Sequence, residues 1–172
     1  LQLTSAVCSV ANDGKYMQPY IIKSITDSKG NIVVSNTPKV IKQTVSEKTS
    51  EILCEYLEYA VIQGKKAYLE GYKIGGKTGT SEKLDSGNEE ARIASFIGIA
   101  PADDPQICVL VVVDEPNSEV QYGSYIAAPL AKDILADSMK HLNIEPDYSE
   151  GTPQVSVPAV VGEPVEAAKK AM

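Results

Sequence analysis

The chain is poor in the side chains that usually carry metal or redox chemistry. Among its 172 residues there is no Trp, one Phe, one His and three Cys. Cys8, Cys54 and Cys108 show no metal-ligand spacing, so no metal site is predicted. All three lie in apolar stretches, which favours three buried thiols over the alternative of one disulfide plus a free thiol.

The chain also lacks basic charge and long apolar runs. Its formal net charge is −7, which argues against nucleic acid as a partner, because phosphate binding needs a basic surface. No run is long and apolar enough to cross a bilayer, and no signal segment opens the chain. Because the chain begins at Leu1 rather than Met, we expect it to be part of a longer protein.

Hydrophobic periodicity predicts three helices, near residues 3–11, 46–63 and 127–142. The candidate N-cap of the second helix is Ser46, or Thr44 paired with Glu47. Pro129 is tolerable only in the opening turn of the third helix or as a kink. His141, the one histidine, would lie at the C-terminus of that helix. Core packing is the favoured interpretation of Tyr122 and Tyr125, over the alternative that they border a cleft.

β-Rich runs predict two antiparallel units. Residues 20–25 and 31–34 flank a polar turn that contains Gly30, which indicates an exposed hairpin. Residues 93–100 and 107–113 flank a turn at 101–105 and, with the segment around Lys77, predict three consecutive antiparallel strands. The predicted fold class is therefore α+β, an antiparallel sheet flanked by helices.

Two catalytic motifs overlap in one short stretch. Residues 71–78 satisfy the phosphate-binding pattern G-x-x-x-x-G-K-[ST], and Lys77-Thr78-Gly79 is the Lys-Thr-Gly motif of penicillin-recognising enzymes. A phosphate loop needs a strand before it and a helix N-terminus after it. Here a helix and a polar loop precede the motif and a polar loop follows. Asp114 follows an apolar strand, as the magnesium-binding acid of a nucleotide hydrolase does. The favoured interpretation is that Asp114 only begins a turn.

The Lys-Thr-Gly interpretation requires an edge strand that lines a cleft. The lysine ammonium and the threonine hydroxyls of this strand would bind a carboxylate, and its glycine would let a ligand approach the backbone. On such a strand Lys77 and Gly79 share one face, while Thr78 and Thr80 share the other. The alternative is a strand end on the surface, where Lys and Thr are merely soluble β-formers.

Several blocks in register resemble one family. The segment 1–14, the stretch 76–80, the stretch 94–98 with Pro101, and the stretches 122–123 and 127–129 resemble, in order and spacing, class B penicillin-binding proteins. The likeness covers residues 1–142 and corresponds to the C-terminal part of the transpeptidase domain. A linker is predicted over 143–156, and 157–172 is similar to the beginning of a PASTA domain, a truncated β-α start, as found in some members, including sporulation-type ones.

The resemblance implies a function and a site. Members of the family are membrane-anchored on the outer face of the bacterial cell and cross-link peptidoglycan through a serine acyl-enzyme, and β-lactams imitate the D-Ala-D-Ala end of the stem peptide. Lys77 would place positive charge near the serine and the substrate carboxylate. Thr78, Gly79 and Thr80 would bind that carboxylate, and the backbone N–H of Thr80 would be an oxyanion donor. Other cell-wall synthesis proteins are implied partners, and no cofactor is implied.

A second hypothesis remains open: a non-catalytic module that binds peptidoglycan or a partner protein. It arises because the family's Ser-x-x-Lys and Ser-x-Asn motifs precede the Lys-Thr-Gly strand. No Ser-x-x-Lys occurs in this chain, and no Ser-x-Asn occurs before Lys77. Ser46-Glu47-Lys48 and Ser81-Glu82-Lys83 have the wrong spacing.

Because the nucleophile motif is missing, we predict that this chain by itself neither hydrolyses a β-lactam nor is acylated by one. Intact mass spectrometry after incubation with penicillin checks this. A stoichiometric penicillin adduct would contradict the prediction.

Overall fold

A computed structural model describes residues 1–84, 87–88 and 90–149 of the chain. Its helices and strands follow the order α1 (Gln2–Val10), β1 (Lys15–Met17), β2 (Ser24–Thr26), β3 (Ile32–Ser35), β4 (Val40–Gln43), α2 (Glu47–Gly64), β5 (Gly75–Glu82), β6 (Arg92–Ala100), β7 (Ile107–Asp114) and α3 (Gly123–His141). The α+β class predicted from the sequence is confirmed.

The central sheet contains β5, β6 and β7 in that spatial order. Both pairs are antiparallel and stay in one register from end to end, from Gly75 opposite Ile99 to Glu82 opposite Arg92 in the first pair. The strands form here because β6 and β7 are rich in β-branched residues and the Pro-Asp turn at 101–105 reverses the chain. The three consecutive antiparallel strands are as predicted.

The hydrophobic core lies between this sheet and α3, which packs across β6 and β7. Alanines on the inner face of α3 let the helix approach the sheet closely, and Phe96 of β6 fills the space beneath them. Pro129 lies inside α3, beyond its first turn. The core residues contributed by α3 are Ala127, Ala128, Ala131, Leu135 and Met139.

The other two helices also pack on the sheet, α1 against β7 and α2 against β5, and they contact each other. Ser46 is the N-cap of α2, because its Oγ accepts the backbone N–H of Thr49 at 3.1 Å. Thr44, the other candidate, donates its hydroxyl to the Gly14 carbonyl instead. The helix runs through Gly64, and the left-handed cap is Lys65, at φ 59°.

Two small ribbons lie outside the sheet. β2 and β3 form the predicted exposed hairpin, with Gly30 at φ +85° in its turn. β1 pairs with β4, and this pairing was not predicted. Its strands are only three and four residues long and are separated by the whole hairpin, so no local turn signal connects them.

The expectation of three buried thiols is wrong for two of them. Cys54 is buried, whereas Cys8 is exposed and Cys108 is half-buried. Helical and strand periodicity place each cysteine near an apolar face, but they do not say how far a neighbouring element covers that face. Here α1 covers only part of the sheet around Cys108.

After α3 the chain turns back over the loop that precedes β5. The Asp147 N–H donates to the Gly71 carbonyl at 2.7 Å, and the Tyr72 hydroxyl donates to the Ile144 carbonyl at 3.3 Å. The rest of the predicted linker and the PASTA-like segment, residues 150–172, lie outside the described residues. In the part of the chain that is described, no helix has the length and apolarity needed to cross a bilayer.

Leu135 and Leu130 offer a matched test of this core. Leu135 of α3 is 0% exposed, whereas Leu130 of the same helix is 48% exposed. Leu135→Ala should lower the free energy of unfolding by about 2–5 kcal/mol, because it leaves a cavity under the helix. Leu130→Ala should cost under about 1 kcal/mol. Urea denaturation measures both, and equal losses would contradict the assigned helix face.

Candidate functional site

Lys77 lies on β5, the strand at the edge of the central sheet. β5 pairs with β6 on one side only, and no described strand pairs with its other side. Lys77 and Thr78 are in mid-strand, and in the described chain the next helix is α3, which begins at Gly123. The helix N-terminus that a phosphate loop requires is therefore missing, in agreement with the preference for the Lys-Thr-Gly interpretation.

The Lys77 ammonium is exposed and points along the open edge, where its Nζ donates to the Thr78 carbonyl at 2.9 Å. Among the described residues it forms no ion pair. By contrast Lys83, just beyond β5, contacts Asp114 at 2.8 Å and Glu115 at 2.7 Å. These hydrogen bonds, to Asp114 first and then Glu115, raise the pKa of Lys83. Lys77 is thus a basic side chain at a strand edge that forms no ion pair with any acidic side chain of the described residues.

The two faces of β5 are as predicted. Thr78 and Thr80 pair with Phe96 and Ala94, which are buried under α3. Lys77 and Gly79 pair with Ile97 and Ser95, which are half-buried on the opposite face. Both faces of β5 therefore contribute side chains to the candidate site. A ligand that lies along the open edge of the strand can contact side chains of either face.

Gly79 provides close access to the strand on the Lys77 face. A Cβ atom at this position would lie 2.6 Å from the Ser95 Oγ, closer than non-bonded atoms allow. Any side chain here would displace the serine and cover the strand beside Lys77. Glycine instead leaves the backbone uncovered, as recognition of an extended ligand requires.

Thr80 joins β5 to α3. The Gly123 N–H, the first of the helix, donates to the Thr80 Oγ1 at 2.9 Å. A Cβ at Gly123 would lie 2.3 Å from both the Gly79 and the Ser95 carbonyl oxygens, so only glycine lets the helix start this close to the strands. The Thr80 hydroxyl keeps its own hydrogen, because here it acts as an acceptor.

Two tyrosines border the same region and are not core residues. Tyr122 is 62% exposed and Tyr125 is 55% exposed, which contradicts the expectation that they are packed inside. The Tyr125 ring lies under the Lys66 ammonium, 4.3 Å from Nζ to the ring centroid. Their position at the beginning of α3 explains this, since Tyr122 is the N-cap residue and precedes the buried turns.

An apolar pocket of about 220 Å³ lies at the base of Lys77. Helices α1 and α2 supply opposite walls, and the sheet supplies the floor. The pocket was not predicted, because its walls come from segments far apart in the sequence. Its lining residues include Val7 and Val10 of α1, Leu53 and Leu57 of α2, and Ile97 and Ile99 of β6.

Two further candidate residues from the sequence, Asp114 and His141, lie at the ends of β7 and α3. Asp114 ends β7 and its carboxylate is paired with Lys83, which leaves it in a surface ion pair. His141 is the last residue of α3, as predicted. One Ser-x-Asn triplet does occur, at residues 86–88, but it follows Lys77 rather than preceding it, so it does not match the family's order. Its serine lies outside the described residues.

An α+β sheet domain with Lys-Thr-Gly on an open edge strand, backed by a helix, is typical of one class of protein: domains that carry the Lys-Thr-Gly motif of penicillin-recognising enzymes. The family follows from direct comparison. The model of the penicillin binding protein transpeptidase domain matches residues 1–136. The chain belongs to this family, as its sequence blocks indicate.

Individual proteins with similar sequences support the same family. The chain is 38% identical over 175 residues to stage V sporulation protein D of Bacillus subtilis, covering 94% of this chain and 27% of that protein. It is 31% identical over 162 residues to a probable peptidoglycan D,D-transpeptidase PenA of Neisseria flavescens, covering 92% of this chain and 38% of that protein. The chain thus spans a minor part of the curated relatives it matches.

A solved structure gives the same result for the fold. Penicillin binding protein 3 of Mycobacterium tuberculosis, crystallised in complex with ampicillin, superposes with a TM-score of 0.75 at 26% identity. The match covers 88% of this chain and 36% of that chain. The antiparallel sheet and its helices are therefore those of a penicillin-binding transpeptidase domain.

The bond between Thr80 and Gly123 can be tested by substitution. Thr80→Val should lower the free energy of unfolding by about 1–3 kcal/mol, because the buried Gly123 N–H loses its acceptor. Thr80→Ser keeps the hydroxyl and should lose less than about 1 kcal/mol. Chemical denaturation measures both, and a loss in Thr80→Val no larger than the loss in Thr80→Ser would contradict a stabilising role for the hydrogen bond, because valine keeps the methyl group and lacks only the hydroxyl.

Proposed function

We propose that this chain supplies the Lys-Thr-Gly side of a peptidoglycan D,D-transpeptidase site, in a longer protein whose serine nucleophile comes from another part of the sequence. The observation that carries the proposal is the Lys77 ammonium, which lies on an open strand edge and has no ion pair among the described residues. An anionic substrate can therefore bind Lys77 without first displacing a carboxylate of the protein.

The substrate is a stem peptide that ends in D-Ala-D-Ala, laid along the open edge of β5. Its terminal carboxylate is held by Lys77 and by the hydroxyls of Thr78 and Thr80. The Thr80 hydroxyl can donate to the carboxylate while it accepts from Gly123, because its hydrogen and its lone pairs point in different directions. Gly79 leaves room for the peptide backbone beside the strand.

The reaction is acyl transfer. The serine attacks the penultimate D-Ala carbonyl, the terminal D-Ala leaves, and the acyl group passes to an amine of a second stem peptide. The backbone N–H of Thr80 donates to the oxyanion, and Lys77 adds positive charge near the serine. A β-lactam enters by the same route and stays attached to the serine as an acyl-enzyme.

The biological setting is part of the proposal. Cross-linking of peptidoglycan takes place outside the cytoplasm, so we place the site on the outer face of the bacterial membrane, held there by an anchor elsewhere in the protein. The similarity to a stage V sporulation protein over 94% of this chain supports a sporulation-type member. We further propose that residues 157–172 begin a PASTA domain and that other cell-wall synthesis proteins are partners.

Acylation by a fluorescent penicillin tests the role of Lys77 in the full-length protein. Lys77→Ala should lower the acylation rate about a hundredfold, because it removes charge from both the carboxylate and the serine. The matched control is Lys29→Ala, in the exposed hairpin turn, which should react like the wild type.

Two outcomes would contradict the proposal. An unchanged acylation rate in Lys77→Ala would separate Lys77 from the reaction. Reversible binding of penicillin or muropeptide by the full-length wild type, without any covalent label, would favour the non-catalytic binding module instead. Thermal unfolding of each variant verifies that a lost rate is not lost folding.

A further inference from the structure

Two of the three cysteines meet where α1 packs on β7. Cys8 lies on α1 and Cys108 on β7, one residue after the strand begins. Both line a cavity of about 390 Å³ between the helix, the strand and the turn before the strand. The two residues are a hundred positions apart in the sequence, so the fold alone places their thiols together.

The two thiols, which line the same cavity, affect each other's ionisation. The Cys108 S–H donates a hydrogen bond to the Cys8 sulfur, and this bond lowers the pKa of Cys8 to about 7 against the opposing effect of burial. The same bond, followed by burial and the nearby charge of Cys8, raises the pKa of Cys108. The lowered pKa favours the thiolate of Cys8, which is the nucleophilic form of a cysteine.

Access differs among the three cysteines. Cys8 is exposed and Cys108 is half-buried beside it. Cys54 lies on the buried face of α2, and burial, followed by the charge of Asp13, raises its pKa. The chain thus contains one accessible cysteine with a second cysteine beside it in the same cavity, and one shielded cysteine that serves as an internal control.

We propose that Cys8 and Cys108 are a redox pair, which a small-molecule disulfide such as oxidised glutathione converts into a disulfide bridge between α1 and β7. The Cys8 thiolate attacks one sulfur of the oxidant, forms a mixed disulfide and releases one glutathione thiolate. Cys108 then loses its proton and attacks the Cys8 sulfur of the mixed disulfide, which forms the Cys8–Cys108 bond and releases the second glutathione. The two cysteines are oxidised, and the oxidant is reduced to two thiols.

The bridge would fix a helix that also borders the Lys77 site. Val7 and Val10, on either side of Cys8 along α1, line the apolar pocket at the base of Lys77. A covalent bond from Cys8 to β7 holds that wall against the sheet. It also closes a long loop, which restricts the unfolded chain and raises the unfolding temperature. Bridge formation itself does not depend on the proposed enzymatic function.

Peptide mapping tests the proposal in the full-length protein. The reduced protein is incubated with oxidised glutathione at neutral pH, its remaining thiols are alkylated, and it is digested with trypsin without reductant. The expected product is a disulfide between the peptide that ends at Lys15 and the peptide 93–132. Cys54 should be recovered alkylated in its own peptide, 49–65.

Variants separate the two steps of bridge formation. Cys108→Ser should stop at the mixed disulfide and retain glutathione on Cys8, whereas Cys54→Ser should form the bridge as the wild type does. Oxidation should raise the unfolding temperature of the wild type and of Cys54→Ser, but not of Cys108→Ser. The wild-type peptide map remains decisive even if a variant fails to fold.

The proposal is overturned by any of three results in the wild type. These are stable glutathione on Cys8 with Cys108 alkylated, a disulfide that involves Cys54, or both Cys8 and Cys108 alkylated after exposure to the oxidant. Because none of these readouts requires acylation by penicillin, failure here is distinguishable from failure of the proposed transpeptidase function.

Discussion

The pairing of β5 with β6 on one side only is the constraint on which the site depends. Unbroken antiparallel register over the whole strand makes side chains alternate strictly between two faces. One face is covered by α3, and the opposite edge of β5 stays open among the described strands. Lys77 can therefore be exposed, with no ion pair among the described residues, while its neighbour Thr78 faces the helix. A second strand at that edge would occupy the groups that a ligand needs.

Helix α3 packs on one face of the sheet and supports strand β5 there. Its alanines bring it close to the sheet, and its first N–H is bonded to Thr80, two residues beyond Thr78 on the candidate site strand. Gly123 permits the contact, because a Cβ there would collide with two carbonyl oxygens of the sheet. Thr80 thus links the site strand directly to the start of α3, so a shift of the helix would move the strand edge as well.

Sequence patterns predicted the elements that local signals define. Apolar periodicity located the helices, the Pro-Asp turn located the β6–β7 reversal, and the start of the second helix left Ser46 and Thr44 as candidates for the α2 cap, of which Ser46 is correct. The patterns did not predict the β1–β4 pair, the exposure of Tyr122, or the meeting of Cys8 with Cys108. Each of these depends on contacts between distant segments, which periodicity does not encode.

The sequence by itself determined the family, the motif and the alternation of Lys77, Thr78, Gly79 and Thr80 along a strand, because these follow from residue order and from the two-residue period of β-structure. The tertiary structure decided which strand lies at the edge, that Lys77 has no acidic neighbour there among the described residues, and that α1 brings one thiol onto another. Those facts arise from the packing of helices on a sheet, since burial and proximity are properties of the assembled chain rather than of any one segment.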